Sequence, residues 1–462
     1  MRCHRLTTFW ILSSIVMTPL LGSVPAQEIP SKKRCVAVIS IDGLPAWAWD
    51  DPKLPMPTLR RLTREGVLAK GMTVSNPSVT WPNHTTLVTG VRPAKHGVLF
   101  NGFLVRQGER APARLESGHD KSELVQATTV YDLAHEAGLT TAQVNWVAIQ
   151  NAGTITWAFP EVPSPSGLVE REMIAEGDIT ASDLNDFSKG TTAWRDHYFT
   201  EAAAHIIRKH KPNLLLLHLV NTDAMNHRYG PKSWASQSAY AYADACVRRV
   251  LDALEAAGLK GQSTLLLVSD HGFKTVTQMI RPNAILRGQG ILKVEAGKVV
   301  CDAYVIPEGG TAMVYVTNPA ERQRLVVRLK EIFAKAEGVE RVLEQNDFAA
   351  LGMPDSQQNK QMGDLVLVAK EGYAFSGDHE GLPLAKVEAG AYQGHHGYPS
   401  TDPDMNATFL AWGYGIRSSA ELGRIENVDV APTIAALLDL KMGAVEGRVL
   451  RQILLLGPKD SN

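Results

Sequence analysis

The stretch "SNPSVTWPNHTTLVTG" places Thr80 between a β-branched valine and the rigid pair Trp81-Pro82. A threonine hydroxyl is a weak nucleophile unless a base or a metal takes its proton, so chemistry at Thr80 needs such a group elsewhere in the chain. Suitable residues recur: Asp42 in "SIDG", Asp223 and His227 in "NTDAMNH", Asp270 and His271 in "SDHG", and His395-His396 in "GHHGY". Carboxylate oxygen with imidazole nitrogen suits zinc and its borderline relatives; calcium takes oxygen alone, and structural zinc more often uses cysteine. Asp223 and His227 stand at i and i+4, which brings both side chains to one face of a helical turn. Each fragment alone also fits a structural role, since such pairs form ion pairs and a lone Asp after a strand often caps a turn.

The elements that must position these residues follow a repeating rhythm. "RCVAVISIDG" reads as a buried strand, "MPTLRRLTREGV" as a helix stopped by Gly66, and "TVYDLAHEAGLTTAQVNWV" as a helix, a glycine stop at Gly138 and a strand. A helix closed by His210-Lys211-Pro212 precedes the apolar run 214–220, and "AYADACVRRVLDALEAAGLKGQSTLLLVSDHG" repeats the theme. Strands alternating with amphipathic helices predict an α/β fold, a mostly parallel central sheet with helices on both faces. Functional residues in such sheets gather beyond the carboxyl ends of the strands. Asp42, Asp223 and Asp270 each follow an apolar run there, and three equivalents argue against three unrelated turn residues.

From about residue 280 the rhythm changes. "ILKVEAGKVV", "GGTAMVYVT" and "DLVLVAKEGYAF" read as strands and "PAERQRLVVRLKEIFAKAEG" as a helix, so 281–385 is expected to be a smaller α+β insertion. The main domain is expected over 27–280 and 386–462, closing with the helix "DVAPTIAALLDL". Residues 1–26 carry Arg2 and Arg5, an apolar run and a small-residue Val-Pro-Ala ending, the pattern of a secretory signal peptide. The expected destination is a periplasm or the exterior, with no membrane span once the signal is removed.

Charge is balanced, 47 Lys and Arg against 48 Asp and Glu, so no basic field marks dedicated nucleic-acid binding. Cys3 belongs to the signal, leaving Cys35, Cys246 and Cys301. That odd, sparse set is no disulfide framework, and Cys35 is expected to be a buried small residue.

Taken in order, "SIDG", "TWPNHTTLVTG", "KHGVLFNG", "DAMNHRYGP", "VSDHGF" and "GHHGY" resemble the alkaline phosphatase superfamily, within it the nucleotide pyrophosphatase/phosphodiesterase (type I phosphodiesterase) family. The resemblance runs over roughly residues 35–440 and weakens in the insertion. It implies an alkaline phosphatase-like fold and two Zn2+ per chain, one held by Asp223, His227 and His396, the other by Asp42, Asp270, His271 and the Thr80 hydroxyl. The family pattern G-x-H-G-Y selects His396 over His395. Thr80 is then the nucleophile of a covalent phospho-threonine intermediate that water hydrolyses. Asn101 stands where the family has an amide that binds a non-bridging phosphoryl oxygen; its bare alternative is a turn residue before Gly102. His84, His218 and His379 fall outside the implied metal set, as structural, core and loop residues respectively.

Fold membership does not settle the substrate. "TWPNH" lacks the cysteine or serine motif that sulfatases of the superfamily need. Phosphomonoesterases neutralise an extra phosphoryl charge with lysine and arginine, and residues 122–170 contain neither. Trp146 and Trp157, with Phe159, offer instead an uncharged aromatic wall for a diester's second substituent. The expected substrate is a small phosphodiester or pyrophosphate of nucleotide type. Phosphonate (phosphonoacetate-type) hydrolysis, phosphomonoester hydrolysis and a non-catalytic binding role stay open as alternatives.

Overall fold

In the computed structural model, residues 29–455 except 389 and 419, together with Met1, are described. The expected signal segment therefore lies outside the described residues. The centre is an eight-stranded sheet in the order Leu422–Glu426, Val67–Thr73, Phe409–Gly413, Ser263–Val268, Cys35–Ile41, Leu214–Leu219, Thr141–Val144 and Trp157–Phe159. Phe409–Gly413 runs antiparallel to both neighbours, and every other pairing in the sheet is parallel. The mostly parallel α/β architecture is as the alternating pattern predicts.

The three central strands are buried along their whole length. Their unbroken runs of Val, Ile and Leu follow from helical cover on both faces. Alternate residues serve opposite cores. Ala37, Ile39, Leu215 and Leu217 pack with Phe199, Ala203, Ile206, Val247 and Val250 of the long helices Thr192–His210 and Trp234–Ala256. Val36, Val38, Leu214 and Leu216 share the other core with Tyr131, Ala134, Val430 and Ile434. Thr192–His210 is capped by the Thr191 hydroxyl, which accepts from the Trp194 N–H, and it ends on a left-handed Lys211 before Pro212.

Residues 303–369 contribute a separate four-stranded antiparallel sheet, ordered Ala303–Glu308, Thr311–Val316, Leu365–Ala369 and Val339–Leu343. Helix Arg322–Ala334 buries Leu325, Leu329 and Phe333, and these join the core that also covers one face of the central sheet. Two expected strands are each two. "ILKVEAGKVV" folds as the hairpin Leu292–Glu295 with Lys298–Cys301, because Ala296 and Gly297 both take positive φ, the geometry of a tight hairpin turn. "DLVLVAKEGYAF" breaks at Gly372, φ 78°, and its second half, Tyr373–Phe375, pairs with Gln278–Ile280 instead. Cys35, Cys246 and Cys301 are free and buried.

Candidate active site at the carboxyl ends of the strands

The three aspartates converge where the central strands end. Asp42 follows Cys35–Ile41 directly, and Asp270 lies two residues beyond Ser263–Val268. Asp223 sits in the first turn of helix Asn221–Tyr229, with His227 one turn on. That helix is anchored from behind by Asp196, whose carboxylate accepts from the Val220 and Asn221 N–H groups at 2.9 Å each. Burial pushes the Asp196 carboxyl up to about 7.

Each buried carboxylate is held on one side and bare on the other. Asp42 Oδ2 accepts from His218 Nε2 at 2.9 Å, and Asp270 Oδ1 accepts from the Gly43 N–H at 3.1 Å. Asp42 Oδ1, Asp270 Oδ2, Asp223 Oδ1 and His271 Nε2 are buried without a hydrogen-bond partner. A buried polar atom left unmatched costs about 1–3 kcal/mol, more when charged, so such a set calls for a cation. Burial first, then the neighbouring Asp270, pushes the Asp42 carboxyl well above its usual range; burial likewise raises Asp223. Asp270 stays below the usual range despite burial, because His271, His84 and His218 face it.

The imidazoles are oriented for coordination. His227 Nδ1 donates to the Gly394 carbonyl at 2.9 Å, His396 Nδ1 to Ser78 at 3.0 Å, and His271 Nδ1 to Gly272 at 3.1 Å. An Nδ1–H held by a carbonyl leaves the Nε2 lone pair for a metal. His227 Nε2 and His396 Nε2 lie 3.5 and 3.7 Å from Asp223 Oδ1; His271 Nε2 lies 3.4 Å from Asp42 Oδ1 and 3.3 Å from Asp270 Oδ2. His271 and His396 stack at 3.6 Å, so one donor set runs continuously from Asp42 to His227. Asp42, Asp270 and His271 form one potential metal-holding group; Asp223, His271 and His396 form the other. Nine-tenths or more of every aspartate in the first group is buried. Of the two adjacent histidines, the structure brings His396 to this cluster, whereas His395 pairs with Lys274 in a short strand.

Thr80 is the first residue of helix Thr80–Thr89, and it touches both halves of the cluster through its neighbours. Ser78, two residues before it, holds His396. His84, one turn on, donates from Nδ1 to the Thr80 carbonyl at 2.9 Å and lies 3.6 Å from Asp270. Asn101 is exposed beside it, and its Oδ1 accepts from the Trp81 N–H at 2.8 Å, which leaves the amide Nδ2 as its donor end.

The aromatic wall divides. Trp146 is 4% exposed, meets His84 edge-on, and with Trp81 and Gln143 lines a cavity of about 620 Å3 whose lining contains no Lys or Arg. Trp157 is not brought to this cavity: it stacks on His210 at 4.6 Å in the opposite core. Phe159 is fully buried against Phe187 and Phe199. The side chains of Thr141–Val144 and of Trp157–Phe159 alternate across the sheet, and Trp146 stands in the loop beyond the first strand while Trp157 opens the second.

Supporting residues outside the sequence-predicted set are His218, Lys274, Gly310 and Gly397. His218, inside the Leu214–Leu219 strand, fixes Asp42; a lone imidazole in an otherwise apolar strand, one residue from its end, was its signal. Lys274 is 7% exposed and clamps Asp402 at 2.8 Å together with Glu371, tying the segment after His271 to the loop that follows Leu365–Ala369. The turn between Ala303–Glu308 and Thr311–Val316 presses on the His396 loop: the Gly310 N–H donates to the His396 carbonyl at 2.8 Å. A Cβ on Gly397, φ 81°, would stand 1.6 Å from the Glu308 carbonyl oxygen, so only glycine fits there. The four-stranded sheet thus braces this loop.

An α/β chain with this sheet order and a threonine beside a buried aspartate–histidine cluster is of the alkaline phosphatase-like class. The model of the type I phosphodiesterase / nucleotide pyrophosphatase family matches residues 36–399, and the chain belongs to that family; it is an enzyme of the phosphodiesterase/pyrophosphatase kind. It is 24% identical over 452 residues to human ectonucleotide pyrophosphatase/phosphodiesterase family member 7, covering 95% of this chain and 88% of that one. It is 22% identical over 399 residues to the Xenopus laevis bis(5'-adenosyl)-triphosphatase, covering 84% and 74%. Among solved structures, human ectonucleotide pyrophosphatase/phosphodiesterase 5 superposes with a TM-score of 0.70 at 20% identity, covering 92% of this chain and all (100%) of that one. The murine form 5, inactive through a threonine-to-alanine change and in complex with AMP, gives 0.66 at 19% identity over 91% of this chain and 100% of its own. No helix among the described residues is long and apolar enough to cross a membrane.

Proposed function

We propose that the protein hydrolyses phosphodiester or pyrophosphate bonds of nucleotide-type substrates, with Thr80 as nucleophile at a site for two zinc ions. The observation that carries this reading is the convergence of four buried, unpartnered donor atoms, Asp42 Oδ1, Asp223 Oδ1, Asp270 Oδ2 and His271 Nε2, beside Thr80. The donor chemistry fits zinc, with Asp223, His227 and His396 holding one ion and Asp42, Asp270, His271 and Thr80 the other. When bound, such ions supply positive charge that lowers the hydroxyl pKa and offsets charge on the phosphoryl oxygens.

The chain's own residues do the rest. Thr80 Oγ1 forms a bond to phosphorus as the bond to the leaving oxygen breaks, giving a phospho-threonine. Water then attacks phosphorus, the Thr80 O–P bond breaks, and the hydroxyl is restored. Asn101, its Oδ1 engaged by the Trp81 N–H, offers Nδ2 to a non-bridging oxygen where charge grows. The Trp81–Trp146 cavity, without a cationic side chain in its lining, seats the uncharged second substituent. Export to a periplasm or the exterior, and a division into a catalytic domain (27–280 and 386–462) with a bracing insertion (281–385), complete the proposal.

The test compares bis-(p-nitrophenyl) phosphate with p-nitrophenyl phosphate, each with and without chelator. A strong diester preference, lost with chelator and restored by zinc, is expected. A monoester preference would overturn the argument from a cavity without Lys or Arg. Inactivity on both would move the reading to phosphonates or to a non-catalytic role.

A further inference from the structure

A second cluster of imidazole and carboxylate lies at the other end of the sheet. Helix Leu168–Glu176 carries Glu172 and Glu176 at i and i+4, so both project from one face. Against it runs the last part of Thr192–His210, with His205 and the terminal His210. His210 precedes the Leu214–Leu219 strand and stacks on Trp157, the first residue of its own strand. The cluster therefore sits at the amino ends of these strands, away from the site described above.

Its geometry is that of an assembled ligand set. Glu172 Oε2 lies 3.1 Å from His205 Nε2 and 2.7 Å from His210 Nε2, and the three atoms form one potential metal-holding group. Donors bound at about 2.0–2.2 Å around a tetrahedral zinc are about 3.3 Å apart; the His205 pair is close to that separation, and the His210 pair would open by about 0.6 Å on binding. His205 is 1% exposed, and its other nitrogen, Nδ1, faces Glu176 Oε2 at 3.2 Å. A carboxylate on Nδ1 is the arrangement that fixes the tautomer of a metal-binding imidazole and leaves the Nε2 pair outward. Lys209 engages the remaining oxygen, Glu172 Oε1, at 3.6 Å and Glu176 Oε1 at 3.0 Å, so Glu172 Oε2 stays available for single-oxygen coordination.

We propose that Glu172, His205 and His210 bind a divalent cation of the zinc class, with water completing the shell, and that this ion staples the two helices. Its competitor is a metal-free network in which His205 bridges Glu172 and Glu176 through its two nitrogens.

The test is zinc stoichiometry of the full chain, stripped with chelator and titrated against a chromophoric chelator. His210→Gln should bind about one equivalent less than the parent while hydrolysing bis-(p-nitrophenyl) phosphate at the parent rate. Because the readout is the difference between two proteins, it does not depend on the number of ions at the strand carboxyl ends. Equal stoichiometry in parent and variant would overturn the site and leave the metal-free network. A second measurement needs no change at the ligands: Cu2+ bound at His210 should quench Trp157, so quenching should be larger in the parent than in Trp157→Phe. Identical quenching would also count against the site.

Discussion

The two imidazole–carboxylate clusters differ in what the protein itself supplies. At the amino ends of the strands, Glu172 and Glu176 have Lys209 beside them, and the helices carrying them are half open to solvent. At the carboxyl ends, buried Asp42 and Asp270 and partly buried Asp223 lie among histidines with no Lys or Arg paired to them among the described residues, and each keeps an oxygen without a partner. A carboxylate next to a lysine is already partly compensated and suits a structural role. A buried carboxylate with no Lys or Arg beside it, faced only by histidines, calls for an ion from outside.

The sharpest way to break this comparison is at the nucleophile. Thr80→Ala should lose turnover by at least about three orders of magnitude while keeping fold and zinc content, as steady-state kinetics and metal analysis would show. Next, His396→Ala should lose metal and about 100-fold or more in kcat, whereas His395→Ala should stay within a few-fold, since only His396 joins the donor set. Gly397→Ala should reproduce much of the His396 loss without touching a ligand, because the added Cβ collides with the Glu308 carbonyl and displaces the loop; added zinc in excess should recover part of it. Asn101→Ala should cost about 10- to 100-fold in kcat with zinc unchanged, the size expected for one transition-state donor. The smallest effect is expected at Lys274→Met, a melting temperature lowered by a few degrees and a modest loss of zinc affinity, readable by thermal melting with and without added metal.

Much of this was readable in the sequence. The parallel sheet followed from unbroken apolar runs such as 214–219, and the convergence of Asp42, Asp223 and Asp270 followed from their places after three such runs. The Asp223–His227 pair was legible because helical spacing converts sequence distance directly into a shared face. What was not legible depended on contacts between distant segments. His218 looked like a core histidine, and it is buried as one, yet its Nε2 holds Asp42, 176 residues away. Trp146 and Trp157 looked equivalent on an aromatic wall, but one belongs to the loop after a strand and the other begins the neighbouring strand. Sequence spacing alone does not reveal which core each enters. The hold of Gly310 on His396 joins segments almost ninety positions apart, and the break at Gly372 turned on a single positive φ.

The central claim is that Thr80 carries the phosphoryl group. Its most direct test is to mix enzyme with an excess of diester substrate, quench in acid, and locate phosphate by mass spectrometry of the digested chain. The account predicts one phosphate increment on the peptide containing Thr80, absent in Thr80→Ala and absent after chelation. Full activity with no increment on any peptide at any quench time, or an increment on a different residue, would contradict it.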